Sequence, residues 1–414
     1  MKKNPVLLCV DIGTSSLKAA FIKIEDDESR LAALSRIEYP KDIYSAVCET
    51  GRPVKLPSAE WEAALKLAIV SLLKDAPAVE IKAVCISGNG PTLVPVDSGG
   101  EALLTLHWFG KTSAAAQVKS FFLPHVLWFM EKYPECFFKS VRIFSCQEWL
   151  SYKLGAEAVT TLPAEGYRPF YWDERQCAAL GIDIALFPRF AYLGEITGKI
   201  SHRAAMDFSL PQGIPVVAGG PDFIMALLGA GVIRPGLVCD RAGSSEGVNV
   251  CITESEALRI AASGARVRIL PHVIENLWNA SVVLPESGSI FEHWREETGQ
   301  INTDYDEILA KIIPDDPAAP VHPVLLKITS QLNEALSKLE ESGLDTSKMR
   351  LSGGQAKNRR WNALKARLTG RRLFIPEILD AELAGNAACA LCAIGEASSL
   401  AEACERVVKI KTEF

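Results

Sequence analysis

Methionine and histidine are scarce in this 414-residue chain, at five and six residues. The six histidines show neither an H-x-x-x-H spacing nor ligand intervals with cysteines, which argues against a zinc site. Cationic excess is lacking as well. Lysine and arginine number 44 against 50 aspartates and glutamates, for a net charge of −6. Such a chain has no global attraction to nucleic acid or to anionic membranes. No apolar run has the ~20 residues that a membrane-spanning helix requires. The N-terminal run Val6–Val10 ends at Asp11, too soon for a signal-peptide core, so the expected setting is the cytoplasm. A phosphate loop of the G-x-x-x-x-G-K-[ST] type is also missing.

What is present is the material of a sizeable globular protein: 48% hydrophobic and 23% charged residues. The length predicts two or three domains. Eleven cysteines are scattered in odd number without framework spacing, which points to reduced thiols. Cys389-Ala-Leu-Cys392 is formally C-x-x-C, but it lies in an Ala/Leu-rich helical stretch. Buried helix cysteines and a redox or metal pair both read this way. Residues 357–372 carry seven Lys and Arg with Trp361 as the one aromatic, which reads as an exposed basic helix face.

The chain opens with three expected strands, at 6–11, 17–25 and 31–39, and Glu25–Glu28 reads as a charged turn. Ser58 is the expected cap of a helix with Trp61, Leu65, Ile69 and Leu72 on one face, and Ile81–Ser87 is a further strand. This strand-strand-strand-helix-strand order opens the ribonuclease-H-like half of actin-like proteins, among other α/β folds. Residues 120–155 read as helices and 156–172 as a polar, Pro-containing stretch. Later come a strand at Val216–Ala218, a helix from Phe223 to about Gly229, and helices near 321–342, 357–369 and 380–395. Asp11-Ile-Gly-Thr-Ser-Ser16 is echoed by Asp240-Arg-Ala-Gly-Ser-Ser245, each after an apolar strand. The echo suits two similar domains, and it also suits two unrelated Gly/Ser turns.

Four constellations bear chemistry. In the first, Asp11, Gly13, Thr14, Ser15 and Lys18 form a turn that can aim N–H and O–H donors at a phosphate. There Asp11 can hold Mg²⁺ directly or through water. An ordinary hairpin turn would read the same. In the second, Gly219-Gly220-Pro221 places Asp222 at the start of a helix, where the dipole favours a carboxylate suited to general-base work. A simple N-cap is the plainer reading. The third, Gly243-Ser244-Ser245, is a second candidate phosphate loop. The fourth is Gly353-Gly354-Gln355 with Asn358, whose glycines let a flat base lie against backbone while Asn358 bonds it.

Taken in order, these residues resemble the FGGY family of carbohydrate kinases, nearly end to end. The resemblance implies an α/β fold of two ribonuclease-H-like (actin-like ATPase) domains flanking a nucleotide and substrate cleft. A sugar-binding and catalytic-base domain would cover 1–231 and a nucleotide-binding domain 232–414. It implies ATP and Mg²⁺ as cofactors and Asp222 as the base that activates a sugar, ketose or polyol hydroxyl. It places the phosphates on the Asp11–Lys18 and Gly243–Ser245 loops, Mg²⁺ at Asp11, and adenosine at Gly353–Asn358. Asn89, Gly90 and Trp108 fall where the substrate is expected. The chain departs from the family there. Ser87-Gly88-Asn89-Gly90-Pro91-Thr92 stands where S-G-Q-M-H-G is usual, and Trp108 is followed by Phe109, Gly110 and Lys111. These departures favour a nucleotide-binding pseudokinase as the alternative, which the retained Asp11 and Asp222 oppose. A homodimer is a further possible partner state, and a chaperone-type ATPase is a more distant reading.

Overall fold

The computed structural model describes residues 4–25, 29–40, 57–114, 118–242, 246–284, 287–310 and 321–414. Three residues of the expected charged turn, 26–28, and the loop Gly243–Ser245 lie outside the described residues. Contacts group the chain into two units. One is Met1–Met225 with Gly385–Val407, and the other is Ala226–Ala384 with Val408–Phe414. A linear division at 231/232 would assign residues 385–407 to the second half, whereas their contacts are with the first unit.

The first unit is built on β1 (Asn4–Ile12), β2 (Ser16–Ile24) and β3 (Ser29–Glu38), α1 (Pro57–Asp75) and β4 (Val79–Gly88). Val6 to Ile12 are buried without a break, the pattern of a strand covered on both faces. Ser58 lies within the first turn of α1 rather than before it. The expected helical block at 120–155 is interrupted. Helices Leu123–Lys132 and Pro134–Lys139 are followed by a strand, Arg142–Ser145, and then by α2 (Cys146–Leu154). Ile143 and Phe144 pair antiparallel with Pro95 and Val94, and this tertiary pairing decides a run too short for periodicity to settle. The polar stretch after it contains a strand, Val159–Leu162, and a 3₁₀ turn, Glu165–Phe170. β5 (Ile196–Lys199) and β6 (Pro215–Val217) complete a six-stranded sheet of order β3-β2-β1-β4-β6-β5. β1, β4 and β6 are parallel, while β2 and β3 are antiparallel additions. Trp61, Leu65, Ile69 and Leu72 of α1 join Val6, Leu8 and Val10 in one core. Helix α3 (Asp222–Gly229) follows β6 and leads into the second unit.

The second unit repeats the plan. It contains β7 (Val238–Ala242), β8 (Glu246–Thr253), β9 (Arg268–Pro271), β10 (Leu277–Leu284), α4 (Ser287–Glu297) and α5 (His322–Glu341). After these come β11 (Lys348–Ser352), α6 (Arg359–Thr369) and β12 (Arg372–Pro376). Helix α7 (Ala381–Ala393) then returns to the first unit, and β13 (Ile410–Glu413) closes the second sheet in the order β9-β10-β8-β7-β11-β12-β13. β10, β8 and β7 form the antiparallel meander, and β11 and β12 follow in parallel, as β3-β2-β1 and β4-β6 do in the first sheet. Asp11 and Asp240, echoed in sequence, therefore lie on equivalent strands of two ribonuclease-H-like sheets. Among the described residues, no helix is long and apolar enough to cross a membrane.

Candidate active site

The parallel strands of the first unit end together. Asp11 pairs with Ser87 across β1 and β4, and Gly88 bridges Pro221 just beyond β6. The sheet thus brings Asp11, Asn89 and Asp222 to the carboxyl ends of three adjacent parallel strands, the edge where open α/β sheets bind ligands. Gly219 is demanded by this convergence, because a Cβ there would fall inside contact distance of the Ile86 carbonyl oxygen on β4. Asp222 is half-buried at the first position of α3, and the Phe223 N–H donates to its Oδ1 at 2.6 Å. A carboxylate at that position is favoured in its charged form by the helix N-terminus.

Asp11 is buried and held from both sides. Ser87 Oγ donates to Oδ1 at 2.8 Å, and Lys18, its cross-strand partner on β2, places Nζ 3.6 Å from Oδ2. The turn beyond β1 is tight, with Gly13 N–H donating to Ser16 O at 3.0 Å. Thr14 is half-buried and Ser15 exposed on it.

The expected substrate residues differ among themselves. Asn89 is buried; its Nδ2 donates to Ile12 O at 2.9 Å and its Oδ1 accepts from Thr92 Oγ1. Its amide thereby ties the end of β4 to the end of β1. Gly90 precedes Pro91 through a cis peptide bond. Trp108 is 43% exposed, its N–H donates to Thr92 Oγ1 at 3.3 Å, and Phe109 meets it edge-on. Sequence reasoning missed Cys146, whose thiol donates to Asn89 O at 3.3 Å from the first position of α2. Burial pushes this thiol up, and the Asp222 and Glu148 carboxylates push it further. Nothing in its local sequence sets this cysteine apart from the other ten.

In the second unit, Gly353 has φ +86°, and a Cβ there would meet the Ala242 carbonyl, so this turn requires glycine. Gly354 beside it is exposed, with open space where a Cβ would stand. The two expected side-chain ligands have partners within the unit. Asn358 Oδ1 caps α6 by accepting from Trp361 N at 3.0 Å, and its Nδ2 donates to Asp306 Oδ1 at 2.6 Å. Gln355 Oε1 accepts from Trp361 Nε1 at 3.0 Å and from Lys365 Nζ at 3.3 Å.

Lys365 corrects the reading of 357–372 as an exposed basic face. It is wholly buried and ion-paired with Asp240 Oδ2 at 2.7 Å and Glu246 Oε1 at 3.0 Å. Trp361, Leu364 and Lys365 fall on the core stripe of α6, so the helical phase of Trp361 and Leu364 is the signal that could have placed it. Burial and the nearby Glu246 push the Asp240 carboxyl up to about 8, while Glu246, facing Lys365, is held low. Two carboxylates facing one ammonium repel each other, and burial favours a proton on Asp240 over one on Glu246. Asp240, the echo of Asp11, belongs to a closed structural network. Among the described residues no cluster of three or more His, Cys, Asp or Glu could hold a metal ion.

Comparison with known proteins is consistent with this geometry. The profile of the FGGY family of carbohydrate kinases, N-terminal domain, matches residues 107–229. An autoinducer-2 kinase from Salmonella paratyphi B is 23% identical over 97% of this chain and 89% of its own length. Among solved structures, a ligand-bound xylulose kinase from Lactobacillus acidophilus superposes with a TM-score of 0.77. It is 14% identical and covers 99% of this chain and 93% of its own. Plasmodium falciparum glycerol kinase with ADP gives 0.73 at 16% identity, over 98% and 93%. These structures share the two-domain, actin-like fold of this chain.

Proposed function

We propose that the chain, similar to the FGGY family of carbohydrate kinases, is one of them and transfers the γ-phosphoryl group of ATP to a hydroxyl of a sugar, ketose or polyol. One observation carries this reading: three adjacent parallel strands deliver Asp11, Asn89 and Asp222 to one sheet edge. Asp222 is the general base. It accepts the proton of the substrate hydroxyl as that oxygen attacks phosphorus, a role for a half-buried carboxylate at a helix start. The turn Gly13–Ser15 offers N–H and O–H donors to the phosphates. Lys18, whose ammonium lies beside Asp11, adds positive charge. The adenosine rests on the backbone of Gly353 and Gly354, while Gln355 and Asn358 shape that loop through their own hydrogen bonds. The first unit then serves the sugar, the base and phosphate contacts, and the second unit the adenosine.

Mg²⁺, when bound with the nucleotide, would neutralise phosphate charge. Asp11, a buried carboxylate, would hold it, since Mg²⁺ takes oxygen ligands. Most of the rate then comes from positioning and charge stabilisation. Gly90, Trp108 and the segment carrying Cys146 line the sugar side, and Asn89 holds its framework. The cytoplasm, where ATP is plentiful, is the expected setting.

The reading is tested by ADP release from Mg·ATP with a panel of autoinducer-2, xylulose, gluconate, glycerol and further ketoses and polyols. Substrate-dependent release with formation of a sugar phosphate is expected. ATP turnover that no panel member stimulates, with no phosphorylated product, would remove it.

A further inference from the structure

Asn386 is wholly buried on α7, a helix whose sequence around it is Ala-Gly-Asn-Ala-Ala-Cys-Ala-Leu. An amide in such surroundings is costly unless every polar atom is paired. Here all are. Nδ2 donates to Val10 O at 2.8 Å and to Ser87 Oγ at 2.9 Å, and Oδ1 accepts from Cys85 Sγ at 3.4 Å. The Val10 carbonyl fixes the orientation of the amide, since only its NH₂ end can face an acceptor. The consequence for Ser87 is specific. Its hydroxyl has one proton and receives the Asn386 amide on a lone pair. Its own proton is therefore directed at Asp11 Oδ1, 2.8 Å away, in preference to Val10 O at 3.4 Å.

We propose that Asn386 is a positioning residue for the Asp11 carboxylate, acting through Ser87. It orients the Ser87 hydroxyl so that Asp11 Oδ1 is held by a charge-assisted hydrogen bond, leaving Oδ2 toward Lys18 and the bound nucleotide. Asn386 also pins Val10 O, the backbone that carries Asp11, so one amide sets both the strand end and the acid on it. The inference rests on the reading of Asp11 as a nucleotide-site acid, and it assigns a role to a helix that none of the four sequence constellations includes.

The test is calorimetric binding of Mg·ADP to the full chain, without turnover, for wild type, Ser87→Ala, Asn386→Ala and the double variant. Melting temperatures and the KM for ATP and for the sugar are measured alongside. Each single variant is expected to bind Mg·ADP on the order of tenfold more weakly, with the sugar KM unchanged. The double variant is expected to lose far less than the product of the two, because both substitutions break one chain of hydrogen bonds. If Asn386→Ala does not fold, Asn386→Ser carries the same comparison with a smaller cavity. A lowered melting temperature with wild-type Mg·ADP affinity, or independent effects of the two sites, would overturn the proposal and leave Asn386 a packing residue. Failure of the wild type itself to bind Mg·ADP would instead count against the kinase reading.

Discussion

Replacing Lys365 by Met leaves Asp240 and Glu246 facing each other in the core of the second unit with no cation, since both pair with this one ammonium and none of the three is exposed. The cost can be worked from the proton count. Burial and the neighbouring Glu246 raise the Asp240 carboxyl and favour its protonated form. Glu246 is held in its charged form by Lys365, and once the lysine is gone it must take a proton or remain a bare buried charge. Protonating a glutamate of ordinary pKa ~4.3 at pH 7 costs about 3.7 kcal/mol, at 1.36 kcal/mol per unit. That agrees with the ~3–5 kcal/mol lost when a buried pair is broken. The same arithmetic gives about 1.6 kcal/mol at pH 5.5, so the defect shrinks as the solution is acidified. Urea denaturation at pH 7 and 5.5 measures it, and Lys365→Met/Glu246→Gln should recover more than half of the loss at pH 7. A loss below about 1 kcal/mol, or one that does not change with pH, would refute this account of the network.

The imidazole of His272 is a second titration test. Nε2 donates to Val232 O at 2.8 Å while Nδ1 accepts from Ile274 N at 3.0 Å, so a second proton would displace a backbone donor. Burial holds its pKa down at about 4. The unfolded chain binds this proton near 6.5 and the folded chain near 4, so stability is lost as pH falls through that window, by up to roughly 3 kcal/mol. His272→Gln should flatten the dependence of the urea midpoint on pH between 6.5 and 4, and an unchanged slope would contradict the assignment. Gly353→Ala should raise the KM for ATP and cost about 1–3 kcal/mol in stability, through both the positive φ and the Ala242 carbonyl. A variant with wild-type KM for ATP would exclude the Gly353 turn from the nucleotide site.

Much of the architecture was legible because strand and helix periods are local. The meander opening the first sheet, the helix beginning at Asp222, and the glycine turn before α6 all stand close to where hydrophobic pattern and turn residues placed them. The repeat of Asp11 at Asp240 was legible as sequence, but its meaning was not. One acid ends a strand beside a serine and a lysine at a turn, while its echo is sealed against a buried lysine 125 residues away. Contacts that join distant segments leave no local trace. Ser87 and Asn386 are separated by 299 residues, and a lone Asn in an Ala-rich helix reads as unremarkable. The strand Arg142–Ser145 was hidden for a related reason, since four residues are too few to show alternation and their partner at Leu93–Val96 is remote in sequence. Asn89 and Asn358 were expected at the substrate and adenosine sites; in the structure the amide of one joins two strand ends and that of the other caps a helix.

The central claim is that Asp222 takes the proton of the sugar hydroxyl, and Asp222→Asn tests it most directly. Steady-state kcat with the substrate identified from the panel is measured beside calorimetric binding of ADP with Mg²⁺. Nearly isosteric, asparagine keeps an oxygen that can accept from the Phe223 N–H at the head of α3, so the fold and the nucleotide affinity should persist. Turnover should fall about 10²–10⁴-fold, the contribution of a positioned general base. A variant that binds ADP normally and retains most of its kcat would contradict the claim and move the base elsewhere. If wild type and variant bind nucleotide alike and neither phosphorylates any sugar, the chain is a binding protein on a kinase fold.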